Sequence, residues 1–318
     1  MMIVSNCSLK TLVFVWILIG AAPAENPLFD GADPHAVWFD GRLVLYPTSE
    51  RGRFYAYSSA DLLHWQKHGP IFSVSQIEWL TERKSGWAPC LIEKDGTFYF
   101  YYSLGPKPSH IGVAVGKSPL GPFTDSGRPL LSDHNDPNFE AIDPMVFQDP
   151  QSGKYYLYAG GSAGSTLRVF ELTDDLLGLK QEIPVQTPPN FTEGVFIHYR
   201  NGLYYLSYSH GSWRHSSYSV HYAVSKTPLG PWDYKGPILV SNDRFKGPGH
   251  HSFVYVPPKD RWYIFYHRWE NVEGDGPYSG SRKIAADLVE YGTDGTIKPI
   301  QMTPTAKLES SPIQRNPK

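Results

Sequence analysis

Cysteine is scarce in this chain, which has only Cys7 and Cys90 among its 318 residues. If Cys7 is removed with an N-terminal targeting segment, Cys90 is left alone. One cysteine can form neither an internal disulfide nor a cysteine-based zinc site. We therefore expect the folded chain to depend on its hydrophobic core for stability.

An excess of charge of either sign is also missing. The chain has 29 Lys and Arg residues against 31 Asp and Glu residues, so its formal net charge at pH 7 is -2. Proteins that bind nucleic acids or anionic membranes through electrostatics usually carry a clear basic excess. We therefore expect no nucleic-acid partner.

Long hydrophobic runs are missing after residue 24, so no later segment is apolar enough to span a bilayer. The one apolar run, residues 12–22, follows Lys10 and leads into Ala22-Pro23-Ala24. A basic flank, a short apolar stretch and a small-residue cleavage site are typical of a signal peptide. The sequence therefore predicts a signal peptide over residues 1–24 and an exported protein, periplasmic or secreted, with no membrane attachment after cleavage. An uncleaved anchor is the alternative.

Aromatic residues, in contrast, make up 14% of the chain, with 21 Tyr, and there are 29 Gly and 28 Pro. Many aromatic and many turn residues together favour an all-β protein. A strand rich in Tyr and Phe recurs five times after a turn, and each copy alternates large and smaller side chains. The copies start at Gly41, Gly96, Gly153, Gly202 and Arg261.

These repeats predict the architecture. Repeats of about 40 to 60 residues that each form a small antiparallel sheet suit a β-propeller. We predict one domain, a five-bladed β-propeller over residues 25–304, followed by a polar C-terminal tail over residues 305–318. A β-sandwich with chance internal similarity is the alternative.

Polar residues occupy the same phase of every repeat, about ten residues before the aromatic strand. The five positions hold Asp33, the Trp87-Ala88-Pro89 turn, Asp143, Glu193 and the His250-His251 pair. In a propeller the strand that follows each position is the innermost one, so the five positions should meet at the central channel. Four other carboxylates have no equivalent in the other repeats and are expected to be solvated: Asp30, Asp40, Glu140 and Asp149.

Three carboxylates in one channel repel one another, so at least one should have a raised pKa and stay protonated near neutral pH. Glycoside hydrolysis needs a carboxylic acid that protonates the leaving oxygen and a carboxylate that activates water. The sequence contains no G-x-S-x-G elbow, phosphate-binding glycine loop or H-E-x-x-H motif that would indicate another chemistry. The carboxylates therefore predict a glycosidase.

Six motifs carry a resemblance to a known family. They are GADPH, WAP, AIDP, TEGVFI, GPGHHS and RKIAADLVEYGTDG, in that order along nearly all of the mature chain. In this set the sequence resembles glycoside hydrolase family 43, whose members are five-bladed propellers that act on arabinose-, xylose- and sometimes galactose-containing glycans. The resemblance implies that Asp33 is the general base, that Glu193 is the general acid, and that Asp143 raises the pKa of the acid and orients it. It also implies an inverting reaction, with the carboxyls of base and acid about 6.5–9.5 Å apart.

Five further residues are candidates for the site. The resemblance implies that Arg282 reaches the sugar from the last blade and that Trp87 forms part of the subsite wall. His35 and Trp38 follow Asp33 closely and are further candidates for the pocket. His250 resembles the channel histidine that often binds a hydrated calcium ion. Because calcium prefers oxygen ligands, most of that coordination shell would be water, and we expect no required cofactor.

The sequence therefore predicts an exported, inverting glycosidase that is exo-acting on α-L-arabinofuranosides or β-D-xylosides of plant-type polysaccharides. A β-galactofuranosidase and an endo-arabinanase are alternatives within the family, because loops around the channel mouth set the substrate. A propeller that binds glycan without cleaving it is the alternative from another class. The complete set of three carboxylates argues against that last alternative.

Overall fold

The computed structural model describes residues 24–134 and 136–306, and within these ranges the chain is built from β-strands and two short 3-10 turns, Val74–Gln76 and Pro257–Lys259. The predicted signal peptide and most of the predicted tail lie outside the described residues. In the described part of the chain, no helix is long and apolar enough to cross a membrane.

In the described residues, five antiparallel sheets of four or five strands form the blades, which confirms the predicted five-bladed β-propeller. The first strands of the five blades are His35–Phe39, Ser85–Lys94, Met145–Gln148, Glu193–Arg200 and Phe245–Val256. The second strands are Arg42–Tyr46, Thr97–Gly105, Tyr155–Ala159, Leu203–His210 and Arg261–Glu270. The third strands are Arg53–Ser59, His110–Gly116, Arg168–Leu172, Ser219–Ser225 and Lys283–Val289. The outer strands are Gln66–Ser73, Thr124–Asp125, Leu179–Ile183, Asp233–Leu239 and Phe29–Asp30. The second blade has an extra strand, Leu131–Ser132, beside its third strand.

The blades close into a ring. Each first strand contacts the first strands of both neighbouring blades, so these five strands surround the axis. The last sheet is completed by Phe29–Asp30, where Phe29 pairs with Ile284 of the third strand. A further pair, Ala24–Glu25 with Thr305–Ala306, joins the two ends of the described chain. Completing the last blade with the N-terminal strand leaves no gap in the ring.

The predicted aromatic strands are the second strands, and their tyrosines join the blades. Four buried tyrosine hydroxyls each donate a hydrogen bond to a backbone carbonyl of the next blade. The pairs are Tyr46 with Pro119 at 2.7 Å, Tyr101 with Leu176 at 2.7 Å, Tyr158 with Pro228 at 2.6 Å and Tyr205 with Gly295 at 2.7 Å. A buried hydroxyl needs such a partner, so these contacts fix how each blade sits on the next.

Candidate active site

One residue in or just before each first strand has a left-handed backbone conformation. These residues are Asp33 (φ 53°), Ala88 (φ 36°), Asp143 (φ 58°), Gly194 (φ 63°) and His250 (φ 36°). This conformation is unfavourable for residues other than glycine, and such strain concentrates at functional sites. The five positions match the repeat phase found in the sequence, except that the fourth is Gly194 rather than the adjacent Glu193.

The backbone N–H of each of these residues is held by a side chain from the preceding blade. The acceptors are Thr48 Oγ1 for Ala88 at 2.8 Å, Ser103 Oγ for Asp143 at 2.8 Å, Ser209 Oγ for His250 at 2.8 Å and His267 Nδ1 for Asp33 at 3.3 Å. At the fifth position the acceptor is Asp143 itself, whose Oδ2 lies 3.1 Å from the N–H of Gly194. The contacts between blades therefore place the three carboxylates relative to one another.

Asp33, Asp143, Glu193 and His250 line a pocket of about 290 Å³. Its lining consists of Asp33, Trp87, Glu140, Ile142, Asp143, Ser162, Glu193, Trp213, His250 and Arg282. The structure thus brings together the three predicted carboxylates with Trp87, His250 and Arg282.

Two predicted pocket residues are not in this lining. The ring of His35 is buried, and its Nε2 lies 3.2 Å from the carbonyl oxygen of Leu91 in the next blade. Trp38 pairs with Leu43 and packs against the hydrophobic cluster between the first and last blades. Asp33 lies before this strand and has a left-handed backbone, so proximity to Asp33 in sequence does not bring the strand residues to the pocket.

Two side chains donate hydrogen bonds to the Asp33 carboxylate, and a histidine lies beside it. Its Oδ1 accepts a hydrogen bond from Arg282 Nη1 at 2.9 Å and lies 3.2 Å from His267 Nδ1, while Oδ2 accepts from Thr48 Oγ1 at 2.6 Å. Burial raises the pKa of Asp33, but the Arg282 guanidinium, with smaller effects of His250 and His267, brings that pKa well below its usual value. Burial lowers the pKa of both histidines, which are therefore neutral near pH 7. The positive charge beside Asp33 is then that of the Arg282 guanidinium. Asp33 is therefore ionised, as a general base must be.

Glu193 is buried on the other side of the site. Its Oε1 accepts a hydrogen bond from the hydroxyl of Tyr218 at 2.7 Å. Burial raises the pKa of Glu193 to about 7; the negative charges of Asp33 and Glu140 act in the same direction, and the Tyr218 hydroxyl and Arg282 oppose it. A carboxyl with this pKa holds a proton below neutral pH and can donate it, as a general acid must.

Asp143 lies next to both groups and has a pKa well above its usual value. Burial is the main cause, followed by repulsion from Glu193, Asp33 and Glu140, while the N–H of Gly194 opposes the shift. Because Asp143 and Glu193 repel each other, the pair keeps a proton near neutral pH.

Two stacked rings contact the acid and the base. Tyr218 binds Glu193, and His267 contacts Asp33. The centroids of these two rings are 5.6 Å apart.

The opposite pKa shifts predict the pH dependence of the reaction. Activity requires ionised Asp33, whose pKa is lowered, and protonated Glu193, whose pKa is about 7. We expect kcat/KM to stay high through the mildly acidic range and to fall about tenfold per pH unit above the Glu193 pKa. Steady-state kinetics over a pH series measure this directly. A kcat/KM that rises through neutral pH would contradict the assignment of acid and base.

The predicted calcium site can be tested against the residues around His250. Its Nδ1 lies 3.4 Å from Asp143 Oδ2 and 3.7 Å from Asp33 Oδ1, so the imidazole faces carboxylates of the site. Within residues 24–134 and 136–306, no group of three or more His, Cys, Asp or Glu side chains is arranged to hold a metal ion. The residues present do not fit direct coordination of calcium. A hydrated ion at His250 stays a prediction, and the reaction proposed below does not use it.

Several functional residues were missed in the sequence. Tyr218 and His267 lie in segments rich in aromatic residues, which indicated only packing. Trp213 lies in the loop after the second strand of the fourth blade, and its ring is 4.7 Å from the Arg282 guanidinium. No repeat phase or motif marks these residues, so the sequence carried no signal for them.

Two carboxylates expected to be solvated are buried instead. Asp149 is 3% exposed, because it accepts hydrogen bonds from Ser152 and the hydroxyl of Tyr204 in a structural turn. Glu140 is 8% exposed and lines the pocket. The prediction was wrong for both, since absence from the repeat pattern does not imply exposure.

Comparison with known proteins identifies the family. Residues 24–297 match the family described as glycosyl hydrolases family 43. The chain is 36% identical over 302 residues to the β-D-galactofuranosidase xynD of Aspergillus niger, covering 88% of this chain and 86% of that protein.

Solved structures show the same likeness. An α-L-arabinofuranosidase from Clostridium thermocellum is 32% identical, with a TM-score of 0.72, covering 87% of this chain and 95% of the other. A β-xylosidase/α-arabinofuranosidase from a compost microbial metagenome, solved with xylotriose in a calcium-free form, is 28% identical, with a TM-score of 0.70, covering 88% and 98% of the two chains.

Proposed function

Since the chain belongs to family 43 of the glycosyl hydrolases, we propose that it is an exo-acting furanosidase that removes a terminal α-L-arabinofuranosyl or β-D-galactofuranosyl residue from a glycan. The chain is a glycosidase, and its family is inverting. Family members typically need no cofactor, some bind calcium, and their substrates are carbohydrates such as xylo-oligosaccharides. The choice of sugar and of exo action is the proposal.

The pocket at the channel carries the proposal. A site of about 290 Å³ that is walled by Trp87 and Trp213 has room for one sugar unit, which favours removal of a terminal residue. The two proposed sugars fit one site for a chemical reason. β-D-galactofuranose is α-L-arabinofuranose with one more hydroxymethyl group on its exocyclic carbon, so the reacting ring is the same.

The proposed reaction uses the two oppositely shifted carboxyls. Ionised Asp33 accepts a proton from water while the water oxygen attacks the anomeric carbon from the face opposite the leaving group. The glycosidic bond breaks, and Glu193 gives its proton to the leaving oxygen. The free sugar has the inverted anomeric configuration. Proton exchange with solvent then returns Asp33 to the ionised form and Glu193 to the protonated form.

Other groups keep the reacting pair in place. Arg282 stabilises the negative charge of Asp33 through a hydrogen-bonded ion pair, and Tyr218 fixes the orientation of the Glu193 carboxyl. Asp143 accepts the N–H of Gly194, the residue after the acid, and so fixes the backbone that carries Glu193. Its repulsion with Glu193 keeps a proton in the pair.

A β-D-xylosidase is the second candidate function. Its support is the likeness to the β-xylosidase/α-arabinofuranosidase that was solved with xylotriose, at 28% identity. The higher identity of 36% to a β-D-galactofuranosidase favours the furanosidase.

Hydrolysis of a panel of aryl glycosides tests the proposal. The panel contains α-L-arabinofuranoside, β-D-galactofuranoside, β-D-xyloside and β-D-galactopyranoside, assayed with wild type and Glu193→Ala side by side. We expect wild type to release the phenol from the furanosides, and we expect Glu193→Ala to lose this activity when the phenol is weakly acidic. Release from the xyloside alone would make the second candidate correct. Undiminished release of a weakly acidic phenol by Glu193→Ala would show that another group is the acid.

Export of the enzyme is also proposed. Its support is the sequence pattern of residues 1–24, which ends in Ala22-Pro23-Ala24. N-terminal sequencing of the protein recovered outside the cytoplasm should then begin at Glu25, and an intact N-terminus would contradict cleavage.

A further inference from the structure

A fourth carboxylate, Glu140, lines the pocket beside the three that the mechanism uses. It lies in the segment before the first strand of the third blade, Met145–Gln148, and its side chain is almost completely buried. Burial of a carboxylate is unfavourable unless good donors surround it, so a buried carboxylate that takes no part in the proton transfers requires an explanation.

Within the described residues, Glu140 accepts two long hydrogen bonds from hydroxyls and one from a backbone N–H. Its Oε1 accepts from Ser109 Oγ at 3.4 Å, and its Oε2 accepts from Ser162 Oγ at 3.4 Å and from the N–H of Ala163 at 3.1 Å. Hydroxyl donors to a carboxylate usually lie at about 2.5–2.7 Å. None of the three partners is cationic, whereas Asp33 has Arg282 at 2.9 Å. Glu140 therefore retains the capacity to accept stronger hydrogen bonds.

The surrounding loop is built closely around this carboxylate. A Cβ placed on Gly161 would lie 3.2 Å from Glu140 Oε2 and 2.4 Å from Ile142. Gly160 before it has φ 147°, and the following residues Ser162 and Ala163 supply the donors. The loop after the second strand of the third blade thus holds Glu140 in the pocket wall.

The pocket lining contains both apolar and polar side chains. Trp87, Ile142 and Trp213 supply apolar surface, and Asp33, Asp143 and Glu193 are committed to the reaction. Glu140 and Ser162 are further polar residues of the lining, and Ser162 Oγ donates to Glu140. A sugar with hydroxyls beyond the ring needs acceptors for them in an enclosed pocket, because a buried hydroxyl without a partner is strongly unfavourable. Glu140 provides two acceptor oxygens for such hydroxyls.

We infer that Glu140 accepts hydrogen bonds from the exocyclic hydroxyl groups of a terminal β-D-galactofuranosyl residue and makes the enzyme prefer this sugar to α-L-arabinofuranose. The inference rests on the proposed function and deepens it. The galactofuranosyl chain carries two exocyclic hydroxyls and the arabinofuranosyl chain one, so only the former uses both carboxylate oxygens. A site built to bind a substrate hydroxyl discriminates strongly against a substrate that lacks it.

Kinetics of variants on the two aryl furanosides test this. Glu140→Gln keeps the shape but removes the charge, and Ser162→Ala leaves the carboxylate without one of its supporting donors. Glu171→Gln is the matched control, because Glu171 is also a buried glutamate but pairs with Lys154 and Lys180 outside the pocket. We expect Glu140→Gln to lower kcat/KM for the galactofuranoside about tenfold to hundredfold more than for the arabinofuranoside. Ser162→Ala should change the ratio in the same direction by less, and Glu171→Gln should leave it unchanged.

Other outcomes separate the inference from the proposed function. Equal losses on both furanosides in Glu140→Gln would overturn the inference while the furanosidase stands. Wild type that cleaves the arabinofuranoside but not the galactofuranoside would do the same. Wild type that cleaves neither would overturn the proposed function, and the inference with it. If Glu140→Gln fails to fold, as judged by its thermal unfolding, an unchanged ratio in Ser162→Ala would overturn the inference.

Discussion

Glu193→Ala is expected to lower kcat/KM about 100-fold to 10,000-fold on glycosides with a poor leaving group, which is the usual contribution of a general acid. The reason is that the leaving oxygen then departs without a proton. The pKa of Glu193, about 7, makes it the group that holds that proton, and Tyr218 aims its carboxyl. The measurement is kcat/KM on an alkyl glycoside and on a dinitrophenyl glycoside of the same sugar.

The second substrate distinguishes a lost acid from a damaged site. A dinitrophenolate leaves without protonation, so we expect Glu193→Ala to retain most of its activity on that substrate. Glu171→Gln is the control for removal of a buried glutamate elsewhere, and it should match wild type on both substrates. Equal loss on both substrates in Glu193→Ala would contradict the role as acid.

Asp33→Asn is expected to abolish most activity on every substrate, whatever its leaving group. The amide cannot accept the proton of the attacking water, although Arg282, Thr48 and His267 still surround it. Asn is the suitable replacement because it tolerates the left-handed backbone of this position, φ 53°. The measurement is kcat/KM on both glycosides, with thermal unfolding to verify the fold.

A buried aspartate outside the pocket supplies the control for this variant. Asp149→Asn removes a carboxylate that binds Ser152 and Tyr204, and it should leave kcat/KM unchanged. An Asp33→Asn enzyme with activity near that of wild type would refute the assignment of the base.

The fold was predictable because its signal repeats. Five aromatic strands in phase, from Gly41 to Arg261, indicated five sheets, and each became the second strand of a blade. Completion of the last blade by Phe29–Asp30 was not predictable, because two residues are too short to show a period. That pairing depends on the ring as a whole.

The site was predictable only where it follows the repeat. The phase marked Asp33, Asp143 and the Glu193-Gly194 pair because each blade needs a left-handed residue at this point. Tyr218, which binds Glu193, and Glu140, which lines the pocket, lie outside that phase, so no pattern in the sequence indicated them. The direction of a side chain from a loop depends on packing between blades, which no local pattern encodes.

The most direct test of the central claim, that Glu193 is the acid and Asp33 the base, is a leaving-group series. Wild type, Glu193→Ala and Asp33→Asn are assayed on aryl glycosides of one sugar whose phenols differ in acidity. Without its acid the enzyme should depend steeply on the leaving group, so kcat/KM of Glu193→Ala should approach wild type for the most acidic phenol. Asp33→Asn should be slow across the whole series. The same dependence in both variants, or recovery in Asp33→Asn alone, would contradict the assignment.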